Sequence, residues 1–128
     1  MRATDRDLIN LAEKARGNAY CPYSEFPVGA AVECEDGTIF IGCNVENAAY
    51  GSTVCAEVVA MTAAITAGQR QFRRIAISSE GAKYCMPCGN CRQVLNELAP
   101  KIEVLSARAD GRYVSYPISS LLPYAFEG

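Results

Sequence analysis

The stretch from Val28 to Val45, VGAAVECEDGTIFIGCNV, decides the fold. Val28 to Cys34 is an apolar strand candidate, Glu35-Asp36-Gly37 is a hairpin turn, and Thr38 to Val45 returns as the partner strand. Upstream, Leu8, Ile9, Leu11, Ala12 and Ala15 recur at helical spacing, so Thr4 to Arg16 is predicted to be a helix. Thr4 or Asp5 can cap it and Gly17 can stop it. Downstream, Thr53 to Ala67 is a second helix ended by Gly68; it is apolar on nearly every side and is expected to be buried. Arg74 to Ser79 is a short β-branched strand. Pro87 to Leu98 is a third helix, with Pro87 in its first turn and Val94, Leu95 and Leu98 facing inward. Ile102 to Ser106 and Tyr113 to Tyr116 form strands around an Asp110-Gly111 turn, and Ile118 to Phe126 ends the chain as a short helical turn and an extended tail. The order α-β-β-α-β-α-β-β predicts a mixed sheet covered by helices, an α/β layered domain.

Half of the 128 residues are hydrophobic and 20% are charged, which excludes a disordered or low-complexity chain. One domain across residues 1–128 is the expectation. Twelve basic against 14 acidic side chains leave a net charge of -2, which gives no electrostatic footprint for nucleic acid or an anionic membrane. No apolar run approaches the ~20 residues that span a bilayer. The charged segment Met1 to Asp7 is followed by no apolar core of a secretory signal, so a soluble cytoplasmic protein is expected.

The chain has seven cysteines and no histidine. An odd cysteine count without a secretory signal argues against a disulfide framework. Lack of histidine removes the Cys-His pair, the Ser-His-Asp triad and imidazole metal ligands, so metal chemistry must use thiolates or carboxylates. In Cys88-Gly89-Asn90-Cys91 the two sulfurs can share one helical face, although thioredoxin-like redox motifs have the same spacing. Cys55-Ala56-Glu57, near another helix start, sharpens the pattern. A cysteine with glutamate two residues on, followed later by P-C-x-x-C, is the three-cysteine form of the zinc deaminase signature. Three thiolates leave one tetrahedral position for water, as catalytic zinc requires. A closed four-sulfur site that adds Cys85 is the rival arrangement, while Cys21, Cys34 and Cys43 suit buried, unligated positions. Glu57 lies in an otherwise apolar helix, where a carboxylate costs stability unless the chemistry needs it.

Over essentially its whole length the chain resembles the tetrameric, three-cysteine type of cytidine deaminase. The resemblance is carried by FPVGAAV from Phe26, GCNVENAAY from Gly42 to Tyr50, CAE at Cys55, PCGNCRQ from Pro87, and LLPYAF ending at Phe126. It implies a three-layer α/β/α sandwich on a five-stranded mixed sheet, and a homotetramer whose sites are completed by neighbouring subunits. It implies hydrolytic deamination of cytidine and 2'-deoxycytidine to the uridines plus ammonia, in pyrimidine salvage. By position, Cys55, Cys88 and Cys91 would hold one Zn²⁺ per chain and Glu57 would carry the protons. The segment Asn44, Val45, Glu46, Asn47, Ala48, Ala49 and Tyr50 would bind the nucleoside, with Asn44 and Glu46 on the sugar hydroxyls. Phe26 would pack against the base, and Phe126 would close a neighbouring subunit's site.

One position departs from the family pattern. Relatives commonly follow C-A-E with an arginine that hydrogen-bonds the thiolates, and here Val58 stands there. Three thiolates around Zn²⁺ leave net negative charge, for which the helix starts before Ala56 and at Pro87, and the Arg92 guanidinium, are the candidate partners. A nucleoside-analogue deaminase of the blasticidin type shares the zinc motifs, but the N-x-E of Asn44 to Glu46 favours the plain nucleoside. A structural zinc or thiol redox module is the alternative from another class; redox chemistry predicts reversible oxidation of Cys88 and Cys91 and no metal.

Overall fold

The computed structural model describes residues 2–128. Helix α1 (Asp5–Arg16) is started by a capping box: the Thr4 side chain accepts from the Asp7 N–H, and the Asp7 carboxylate accepts from the Thr4 N–H. Strands β1 (Val28–Cys34) and β2 (Ile39–Cys43) form the hairpin, followed by a single 3-10 turn (Tyr50–Ser52) and helix α2 (Ala56–Thr66). Then come β3 (Phe72–Ser79), α3 (Gly89–Leu98), β4 (Glu103–Ala107), β5 (Tyr113–Pro117) and the short α4 (Ile118–Leu121). The strands join into one five-stranded sheet in the order β2-β1-β3-β4-β5. Only β3 and β4 run parallel, so the sheet is mixed.

Alternation along the strands sorts the core into two layers. Ala30, Val32 and Cys34 of β1, with Ile75 and Ile77 of β3, pack against α2 and α3 through Ala56, Ala60, Met61, Ala64 and Leu95. Ala31 and Ala76 point the other way and meet Leu8, Ile9 and Ala12 of α1. This is the expected three-layer α/β/α sandwich. The face under α1 is lined by small residues because the helix lies very close to it. A Cβ on Gly29 would fall 1.9 Å from the Ala12 carbonyl oxygen and 2.4 Å from the Arg16 nitrogen. Both neighbours are backbone, so neither can swing aside. Gly29→Ala is therefore expected to destabilise the fold by overpacking, about 1–3 kcal/mol, or roughly 4–12 °C in a thermal melt. Gly42 plays the same part under α2, where a Cβ would fall 2.6 Å from the Ala60 nitrogen and 2.7 Å from the Ala56 oxygen. Close seating of α2 on β2 fixes where Cys55 and Glu57 point.

The structure corrects several sequence-based boundaries. Strand β2 ends at Cys43 because the Asn44 side chain turns to bond the chain ahead of β1. Helix α2 begins at Ala56 rather than Thr53, since Val54 stays extended and bridges to Val45. It is not wholly buried either: Thr62, Ala63 and Thr66 face outward, because the sheet covers only one side of the helix. Helix α3 starts at Gly89, with Cys88 as its N-cap and Pro87 outside it.

Candidate active site

The metal-ligating sulfurs occupy two helix starts. Cys55 is the N-cap of α2 and Cys88 the N-cap of α3, and neither cap makes a side-chain hydrogen bond to its helix. The first intrahelical bonds run from Val59 to the Cys55 carbonyl and from Arg92 to the Cys88 carbonyl. The N–H groups ahead of these bonds, with the positive ends of both helix dipoles, gather where the thiolates sit. This arrangement offsets sulfur charge without an arginine at position 58. Val58 itself is half-buried.

The three sulfurs converge. Cys55 Sγ and Cys88 Sγ lie 3.9 Å apart, Cys88 Sγ and Cys91 Sγ 3.4 Å, and all three fall within 4.8 Å of one another. Tetrahedral zinc with Zn–S bonds of about 2.3 Å sets its sulfurs about 3.8 Å apart, so the cluster fits the ion. Among the described residues this is the one group of three or more such side chains placed to hold a metal. Cys91 is fully buried behind the other two, whereas Cys55 and Cys88 line a cavity of about 270 Å³. Hydrogen bonding from Cys91 brings the Cys55 thiol down to about 7, and the same contact together with burial pushes the Cys91 thiol up.

Glu57 lies one residue inside α2 and also lines this cavity, although it is only 5% exposed. Burial pushes its carboxyl pKa up, which suits a group that must both take and give a proton. Cys85 lines the cavity too but stands outside the sulfur cluster, and burial pushes its thiol up. Cys85→Ser is accordingly expected to keep one zinc per chain; loss of metal would establish the closed four-sulfur site instead.

Phe26, Asn44 and Glu46 line the same cavity. The Asn44 Oδ1 accepts from the Val28 N–H at 2.9 Å and its Nδ2 donates to the Phe26 carbonyl at 3.0 Å, leaving one amide hydrogen uncommitted. Glu46 Oε1 accepts from the backbone N–H groups of Tyr23 and Ser24, both at 3.0 Å, and the Ser24 bonds hold its carboxyl below the usual range. Its Oε2 is left for a further donor. The rest of the segment is placed differently. Val45 bridges to Tyr20 and Val54 through its backbone, and Ala48 and Ala49 form an exposed turn outside the cavity lining. Asn47 and Tyr50 line a shallow neighbouring depression, which shares Ser24, Glu46 and Thr53 with the main cavity. The Asn47 Oδ1 is spent on the Ala49 N–H, so its work is to shape the turn. Phe126 is 76% exposed and lies outside its own chain's cavity.

Arg92, a sequence candidate for balancing the sulfur charge, directs its hydrogen bonds elsewhere. Its Nε donates to the Pro87 carbonyl at 2.7 Å and its Nη1 to the Leu121 carbonyl at 3.0 Å. Sequence reasoning missed Ser106, fully buried on β4, whose hydroxyl donates to the Cys85 carbonyl at 2.6 Å and pins the loop ahead of α3. A serine in a strand carries no local mark of such a role.

Comparison with known proteins shows the family. Residues 2–106 match the family described as the cytidine and deoxycytidylate deaminase zinc-binding region. A cytidine deaminase of Sporosarcina psychrophila is 44% identical over 120 residues, covering 93% of this chain and 88% of that protein. A crystal structure of cytidine deaminase from Burkholderia pseudomallei superposes with a TM-score of 0.94 at 46% identity, covering 97% of this chain and 100% of that one. The Mycobacterium tuberculosis cytidine deaminase structure superposes with a TM-score of 0.84 at 36% identity, over 98% and 100% of the two chains. By the match over residues 2–106 and the 44% identity over 93% of its length, the chain belongs to the cytidine and deoxycytidylate deaminase zinc-binding family.

Proposed function

We propose that this protein is a zinc-dependent cytidine deaminase converting cytidine and 2'-deoxycytidine to the corresponding uridines and ammonia, as one domain over residues 1–128. The convergence of Cys55, Cys88 and Cys91, two of which line one cavity with Glu57, Asn44 and Glu46, supports this reading above all. Zinc held by the three thiolates supplies Lewis-acid activation of water near neutral pH. Glu57 takes the water's proton and passes it to ring N3 as the C4–O bond forms. It then takes the second proton from the new C4 hydroxyl and delivers it to the amine, so that the C4–N bond breaks, ammonia leaves and the C4 carbonyl forms. Burial keeps Glu57 out of bulk water, so the proton stays between the carboxylate and the reacting ring.

The remaining roles follow from the cavity walls. Asn44 offers its free amide hydrogen and Glu46 its free Oε2 to the sugar hydroxyls, while Phe26 presents a ring face to the base. The exposed Phe126 and Tyr124, and the outward face of α2, support assembly into a homotetramer in which Phe126 serves a neighbour's site. No helix among the described residues is long and apolar enough to cross a membrane. A salvage enzyme acting on free nucleosides in the cytoplasm is the setting we infer. Purified protein should contain one zinc per chain, elute at four chains, lower the absorbance of added cytidine and release equimolar ammonia. Metal-replete protein that leaves cytidine untouched would overturn the reading in favour of a structural zinc module.

A further inference from the structure

The loop that leads into the second pair of sulfurs has little regular structure of its own. Between the end of β3 at Ser79 and the start of α3 at Gly89 the chain makes only bends and extended segments. It is held by its carbonyls: that of Gly81 accepts from the Ala109 N–H, that of Cys85 from the Ser106 hydroxyl, and that of Pro87 from the Arg92 side chain. The last of these bears directly on a ligand, because Pro87 immediately precedes Cys88. Arg92 also accounts for the next carbonyl, since its backbone N–H bonds the Cys88 oxygen at 2.9 Å. The carbonyls on both sides of the Cys88 α-carbon are thus held at position 92, the one ahead of it by the guanidinium and the one after it by the first backbone bond of α3. Nη1 of the same guanidinium reaches the Leu121 carbonyl at the end of α4. Gln93 adds a parallel tie, its Nε2 donating to the Phe126 carbonyl at 3.4 Å.

We propose that Arg92 is a positioning residue that sets the Cys88 sulfur for the metal, and that through it metal occupancy is coupled to docking of the C-terminal segment 118–126. The planar guanidinium is suited to this because its donors leave in fixed directions and can hold two carbonyls at once. A lysine ammonium at the same place can reach one carbonyl but cannot fix the angle between the two. Coupling must be reciprocal: if segment 118–126 steadies the sulfur through Arg92, a filled metal site steadies the segment. The inference rests on the metal-centre reading, and its test separates the two.

Zinc affinity of the folded protein, its Arg92→Lys variant and its Arg92→Ala variant is measured by competition with a chromogenic chelator. Hydrogen exchange of peptides covering 118–126 is followed with and without zinc. The expected result is a 10–100-fold loss of zinc affinity in both variants, the range typical when a group supporting a metal ligand is removed. In the unsubstituted protein, exchange of 118–126 should quicken on zinc removal, and in Arg92→Lys this zinc dependence should vanish. Zinc affinity unchanged within about threefold in the folded lysine variant would overturn the positioning role. Zinc-independent exchange in the unsubstituted protein would overturn the coupling, and that measurement needs no variant to fold. Failure of the unsubstituted protein to bind zinc at all would bring down the metal-centre reading and the inference with it.

Discussion

Glu57→Gln is expected to keep its zinc, keep its fold and lose nearly all turnover. The substitution preserves size and shape, so the packing of α2 against β1 and β2 is undisturbed. What it removes is the capacity to take a proton. A single positioned proton carrier contributes about 10² to 10⁴ in rate, and here one side chain serves the water, ring N3 and the departing amine in succession, so the loss should sit at or beyond the upper end. Because the amide carries no charge to desolvate, the variant should be at least as stable as the parent, since a carboxylate only 5% exposed is costly to keep ionised. Zinc content, a thermal melt and single-turnover deamination of cytidine check the three parts separately. Turnover within tenfold of the parent in a zinc-loaded variant would show that Glu57 is scaffold and that another group moves the protons.

Much of this was legible in the sequence because the deciding signals are local. The hairpin Val28–Cys43 is written as two apolar runs around a single turn, and β1 begins and ends where the residues place it. The start of α1 is marked by Thr4 and Asp5, of which the structure makes Thr4 the cap. Cysteine spacing points to the candidate ligands because residues three apart at a helix start share one face. The missing histidines leave sulfur as the main donor. The sequence is less informative where a side chain is spent on backbone far away in the chain. Helix α2 looks continuous from Thr53 by composition, yet Val54 is drawn into a bridge with Val45, a contact no local propensity encodes. The nucleoside segment Asn44–Tyr50 looks uniform as a motif, but folding divides it. Asn44 and Glu46 reach the cavity, Asn47 shapes a turn, and Val45 secures the backbone. For the same reason Arg92, adjacent to a ligand in sequence, is suggestive of charge balance, whereas its hydrogen bonds go to two carbonyls.

Substitution of Cys91 should have the largest effect on the metal itself. Cys91 is fully buried, and its sulfur lies 3.4 Å from that of Cys88. In Cys91→Ser the shorter side chain cannot reach the position of the sulfur, and a neutral hydroxyl is a far poorer donor to zinc than a thiolate. Two thiolates then remain, which is too few to compete with buffer and water. Zinc per chain should fall to near zero and deamination should become undetectable. Stability should fall as well, because an ion that binds only the folded protein adds about 4 kcal/mol when free zinc exceeds its dissociation constant a thousandfold. For a chain of this size that corresponds to roughly 10–20 °C in the melt, and stripping the parent with a chelator should reproduce most of the shift. Cys34 supplies the control. It is equally buried, on β1, where burial pushes its thiol up to about 11, and it is remote from the cluster. Cys34→Ser should therefore cost packing but keep its zinc. If instead Cys91→Ser retained one zinc per chain and lost it only when Cys85 was also replaced, Cys85 would be capable of serving as the third sulfur and the open catalytic site would have to be redrawn.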